Sequence, residues 1–84
     1  MILFQKIINQ KLNNINEAEL LQLAKQNSLS LNQKQASQIV SLIQGRNINV
    51  FNEQERKDLL KKIAIITSPE TAKEVNQLLQ QFVG

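Results

Sequence analysis

Three times the chain repeats a short pattern that suits the start of a helix: an apolar residue, Asn, any two residues, then Glu or Gln. It reads Ile15-Asn16-Glu17-Ala18-Glu19, then Leu31-Asn32-Gln33-Lys34-Gln35, then Phe51-Asn52-Glu53-Gln54-Glu55. An Asn at the N-cap accepts a hydrogen bond from an orphan N–H of the first turn, and Glu or Gln three residues on can reach back to the cap's own N–H. The first copy also offers Ile15 and Leu20 as a hydrophobic staple, and the second offers Leu31 with Ala36. The third places Arg56 at the stapling position, so Phe51 must pack elsewhere. A fourth start is Ser68-Pro69, where Pro occupies the first helical position and its missing N–H costs nothing.

Helix ends are marked as well. The first helix stops before the Asn-rich Asn13-Asn14-Ile15-Asn16, the second near Asn27, and Gly45 can take the left-handed conformation that closes the third. Thr67-Ser68-Pro69 ends the fourth. The pattern predicts five helices, at 2–12, 17–27, 33–44, 53–66 and 69–82. Within them the apolar residues recur at helical spacing: Phe4, Ile8 and Leu12 beside Leu3 and Ile7; Leu20, Leu21, Leu23 and Ala24; Ala36, Ile39, Val40 and Ile43; Leu59, Leu60, Ile63, Ala64 and Ile66; Val75, Leu78, Leu79, Phe82 and Val83. Only Asn47–Phe51 shows a hint of strand alternation. The expected fold is all-α, a compact bundle of about five short helices in one domain spanning 1–84.

Composition narrows the chemistry. The 84 residues contain neither Cys nor His, which removes disulfides, thiolate nucleophiles, the usual neutral-pH base and the commonest metal ligand. The paired carboxylates Glu17/Glu19 and Glu53/Glu55 fall in first helical turns, where they complement the helix dipole. The only glycines are Gly45 and Gly84, so there is no Gly-rich phosphate loop. We therefore expect no enzyme, no cofactor and no metal. No apolar run approaches a membrane span and the first ten residues lack the design of a signal peptide, so a cytoplasmic protein is expected. Twelve Gln and ten Asn, interleaved with apolar residues, read as the polar faces of the helices.

Two segments qualify as contact surfaces. The first helix carries Leu3, Phe4, Ile7, Ile8 and Leu12, broader than a packing seam needs, and a domain this small has too little interior to cover them all. The expected use is pairing of the protein with itself, a dimer being favoured, which makes it a small structural or adaptor protein. Lys6 and Lys11 beside these residues also suit a helix lying on a membrane surface, though core packing is the preferred reading. The second segment is Gly45–Asn52, where Arg46, Asn47 and Asn49 can project while Ile48, Val50 and Phe51 anchor it.

Ser28–Val40 invites comparison with a DNA-reading helix-turn-helix. Its connection lacks Gly, and Leu29 and Leu31 look like plugs into the core. The outer face that follows (Gln33, Lys34, Ser37, Gln38, Ser41, Gln44) offers a single cation for phosphate. Net charge is +3, with the excess spread over Lys6, Lys11, Lys25, Lys34 and Arg46 against Glu17 and Glu19 in the first 52 residues. A weakly nucleic-acid-associated helical protein is thus the alternative reading, and specific recognition is not expected.

The segments EAELLQLAKQ, LNQKQASQIVSLIQGRNINVF and LLKKIAIITSPETAKEVNQLLQQF together resemble the YqfT-like family of short uncharacterised proteins of Bacillus-type bacteria, with GRNINVF and TSPETAKEVN carrying most of the likeness. The resemblance spans nearly the whole chain. It implies a cytoplasmic protein of a low-G+C Gram-positive organism and supplies no catalytic or binding residues to carry over.

The sparse charge makes a first prediction. Because phosphate contacts supply most nucleic-acid affinity, a mobility-shift assay at physiological salt should show weak binding at most, without sequence preference and with a shallow salt slope.

Overall fold

Each of the four capped starts is matched by a helix. The computed structural model describes residues 2–83, without the side chains of Ile2, Phe82 and Val83; the expected packing of Phe82 and Val83 therefore lies outside the described residues. In chain order the helices are α1 (Ile2–Asn13), α2 (Glu17–Gln26), α3 (Gln33–Ile43), α4 (Glu53–Ile66) and α5 (Pro69–Val83), and no strand occurs among the described residues. Asn47–Phe51 is turn and irregular chain instead.

The cassettes do the work expected of them, with one informative exception. Asn16 Oδ1 accepts from Glu19 N–H at 2.8 Å while Glu19 Oε1 accepts from Asn16 N–H at 3.2 Å. Asn32 and Gln35 form the same reciprocal box at 2.8 and 3.1 Å. Asn52 caps α4 through Glu55 N–H at 3.0 Å, but the Glu55 carboxylate turns away and accepts from Asn49 N–H at 3.2 Å. Ser68 Oγ caps α5 by accepting from Thr71 N–H at 3.1 Å.

Helix ends follow local conformation. Gly45 has φ +72° and closes α3. The end of α2 is a Schellman motif: Leu29 N–H bonds to Ala24 O at 2.7 Å and Ser28 N–H to Lys25 O at 3.3 Å. Its left-handed position is held by Ser28, at φ +59°, where glycine would be unstrained. On α4 the ion pair is Glu53 with Lys57, at 3.0 Å, rather than the Asp58–Lys62 pair that spacing alone suggests; Asp58 accepts instead from Gln54 Nε2. A hydrogen bond and the charge of Lys57 lower the Glu53 pKa, but both side chains are solvated and the pair adds little.

Three helix pairs pack closely, α2 with α3, α3 with α4 and α4 with α5, each consecutive in the chain. Ile39 and Ile43 of α3, Leu59 and Ile63 of α4, Ala72 of α5 and Val50 of the α3–α4 loop form the buried core. Leu31, Leu42, Ala64, Val75 and Leu79 close around it, half-buried. The Cα radius of gyration is 11.8 Å, close to the ~12 Å of a compact chain of this length. Among the described residues α1 is absent from the closely packed pairs. It reaches the core with Ile8 and Leu12, and its Asn9 and Asn13 side chains bond to the loop.

Asn16→Ala and Asn32→Ala should each cost about 1 kcal/mol, the usual worth of an Asn cap, read as a lower denaturant midpoint. Ser28→Gly should move the midpoint the other way by about 1 kcal/mol, because it removes the left-handed strain while both Schellman hydrogen bonds remain. Equal midpoints for wild type and all three variants would refute the capping account.

Candidate interaction surface

The loop between α3 and α4, residues 45–52, enters the core at Val50, which is 0% exposed. Its peptide groups need partners, since an unpaired buried N–H or C=O costs roughly 1–3 kcal/mol. From Ile48 to Val50 neither a strand nor a helix backbone supplies them. Side chains of α1 and α4 do.

Asn9 and Asn13 lie one helical turn apart on the same side of α1. The Asn13 amide engages both polar groups of Ile48, donating Nδ2–H to Ile48 O and accepting from Ile48 N–H, each at 2.9 Å. Asn9 Oδ1 accepts from Val50 N–H at 3.1 Å, while Asn9 Nδ2 donates to Asn49 Oδ1 at 2.8 Å. Asn49 Oδ1 also receives Phe51 N–H at 3.1 Å. From the other side Arg56 Nη1 donates to Val50 O at 3.1 Å. Gly45 N–H reaches Asn13 O, at 3.2 Å, and so caps the end of α1. Phe4 and Phe51 close the contact edge to face, ring centroids 6.4 Å apart at 71°. Phe51, denied a staple partner on its own helix, packs here and against the core.

This arrangement revises several expectations. Asn9, Asn13 and Asn49 are not polar-face residues: Asn13 is 8% exposed and the other two are half-buried. Asn49 spends its side chain within the fold, whereas Arg46 and Asn47 stand exposed, Asn47 at φ +54°. Asn tolerates that left-handed turn better than most residues, which gives Asn47 a conformational reason for its place. Arg56 departs from the cassette's apolar stapling position because it holds the loop. Asn9 and Asn13 were visible as an i, i+4 pair on an apolar helix, yet nothing local distinguishes such a pair from a solvated face.

On α1 the expected contact residues divide. Ile8 turns inward onto the core, with Leu12. Leu3, Phe4 and Ile7 remain 71%, 43% and 48% exposed. At about 100° per residue, Leu3 and Ile7 form one ridge roughly opposite Asn9 and Leu12, with Lys6 on one flank and Lys11 on the other. α1 is apolar on two sides: Ile8 and Leu12 face the protein together with the Asn9 and Asn13 amides, while Leu3 and Ile7 face solvent. Arg46 belongs to the loop docked at the end of α1, so Leu3, Phe4, Ile7, Arg46 and Asn47 lie on connected elements.

Other features hold less. Two depressions, one lined by Glu17, Asn32, Gln33, Lys34, Ser37 and Gln38 and the other by Leu42, Ile48, Glu55, Asp58, Leu59 and Lys62, are open to solvent. Among the described residues no cluster of three or more metal-ligating side chains occurs, and no helix is long and apolar enough to cross a membrane.

Residues 1–83 match the family model described as "Protein of unknown function (DUF2624)". The chain belongs to this family. It is also similar to "Uncharacterized protein YqfT" of Bacillus subtilis (strain 168), at 50% identity over 84 residues covering 100% of both chains. No solved structure matches it. For this member of the family, the loop and the helix that clasps it are the parts that side-chain hydrogen bonding defines most fully.

Removing the clasp should therefore cost more than removing a cap. Asn13→Leu keeps the bulk but leaves both polar groups of Ile48 unpaired, and a loss of about 2–4 kcal/mol is expected in denaturant unfolding. Asn13→Asp keeps the acceptor for Ile48 N–H and sets a carboxylate oxygen against Ile48 O, so at neutral pH it should be at least as damaging as the Leu variant.

Proposed function

We propose that this protein is a small, non-catalytic interaction protein of the cytoplasm that pairs with a second copy of itself through the outward face of α1. The supporting observation is the outward side of α1, where Leu3, Phe4 and Ile7 stay exposed while Ile8, Leu12 and the Asn9 and Asn13 amides are engaged inside. A helix gains nothing by holding aliphatic side chains in water, and covering them would contribute ~25 cal/mol for each Å² of apolar surface removed. The cysteine-free composition suits a reducing compartment.

The pairing has two recognisable properties. Three partly exposed side chains make a patch well short of the ~800 Å² per partner of a standard stable interface, so association through this face should be modest and concentration-dependent. α1 carries Lys6 and Lys11 and no acidic residue, so two copies brought together repel through these charges. Salt screens that repulsion.

Light scattering over a range of concentrations is the test. The apparent mass should rise toward that of a dimer with concentration and with added salt. Leu3→Glu and Ile7→Glu, which change exposed positions only, should hold the protein monomeric without lowering its unfolding midpoint by more than about 0.5 kcal/mol. A wild-type protein that stays monomeric at high concentration would end this reading.

A further inference from the structure

We propose that α1 is a strap: it lifts from the protein as one cooperative unit and uncovers the 45–52 loop while α2 to α5 stay folded. The movement concerns the inward side of α1 and does not depend on the self-pairing proposed above.

What holds α1 is confined to one place. Among the described residues it belongs to none of the closely packed helix pairs, and no residue of the buried core cluster lies on it. Ile8 and Leu12 pack against that cluster half-buried, and Phe4 meets Phe51. Asn9 and Asn13 add their side-chain hydrogen bonds to Ile48, Asn49 and Val50. Water takes over those polar groups on opening, so only the small net worth of each bond is lost. An element with so little buried apolar surface opens well before the core does.

The loop is held from two sides, and α1 is only one of them. Arg56 Nη1 donates to Val50 O, Glu55 Oε1 accepts from Asn49 N–H, and Asn49 Oδ1 accepts from Phe51 N–H. These bonds lie within the loop or between it and α4, so they survive the departure of α1 and keep Val50 in its seat. The groups uncovered are the N–H and C=O of Ile48 and the N–H of Val50.

The boundary of the moving unit is equally plain. α2 begins on its own capping box, Asn16 with Glu19, and needs nothing from α1. Ile15, 6% exposed, anchors the chain just before that cap. A hinge at Asn13 and Asn14 gives up the turn bonds from Asn14 N–H to Lys11 O and from Ile15 N–H to Leu12 O, each at 3.3 Å.

Native-state hydrogen exchange on dilute protein is the test. The amides of residues 9–13 and those of Ile48 and Val50 should share one level of protection, at least about tenfold below that of residues 39–43 and 59–63. Val50 N–H decides most sharply, because a residue 0% exposed would otherwise exchange with the core. Ile63→Val weakens the core in the closed and open forms alike. It should speed exchange at residues 39–43 and 59–63 about threefold to tenfold and leave residues 9–13, Ile48 and Val50 unchanged. The strap is overturned if these amides exchange as slowly as the core or accelerate with it in Ile63→Val. It is also overturned if residues 9–13 exchange well ahead of Ile48 and Val50, which marks fraying turn by turn rather than release as a unit.

Discussion

The arrangement depends on the pairing of one side-chain amide with one buried peptide unit. Asn13 meets both the N–H and the C=O of Ile48, as a neighbouring strand would. A loop that plunges into an apolar core must satisfy its backbone, and no sheet occurs among the described residues to do it. An Asn amide carries a donor and an acceptor side by side, so one residue accomplishes what would otherwise need two. With Ile48 held, Val50 is placed in the buried core that it shares with Ile39, Ile43, Leu59, Ile63 and Ala72.

The same logic explains residues that otherwise look like lapses. Arg56 sits where a hydrophobic staple belongs, and Glu55 leaves its capping box incomplete, because both are drawn to the loop. Arg56 gains most from this, because an unpaired carbonyl on the buried Val50 is expensive, whereas Glu55 exchanges one exposed hydrogen bond for another. The third cassette thus joins local helix initiation to a tertiary role.

α1 is distinct in its energetics. Net hydrogen bonds contribute roughly 0.5–1.5 kcal/mol each, and Ile8 and Leu12 are only half-buried, so α1 is fastened less by apolar burial than α3 and α4 are. Elements of this kind populate the low end of a protein's local stability. The remaining helices, by contrast, pack consecutively on one another.

The five helices and nearly all their limits were legible in the sequence because caps, prolines and left-handed closures act within a few residues. Asn16, Asn32, Asn52 and Ser68 each find their acceptor role three positions away. The apolar stripes of α3 and α4 were legible for the same reason, since helical spacing is local. What α1 does was not. Asn13 and Asn9 meet partners 35 and 41 residues further along, and an amide's chemistry says nothing of which distant peptide it will face. Likewise Ile8 and Ile7, adjacent and chemically identical, differ only in which side of the helix the loop occupies. Sequence determined where the chain would be helical; the docking of one loop decided which face of α1 is interior and which is left exposed.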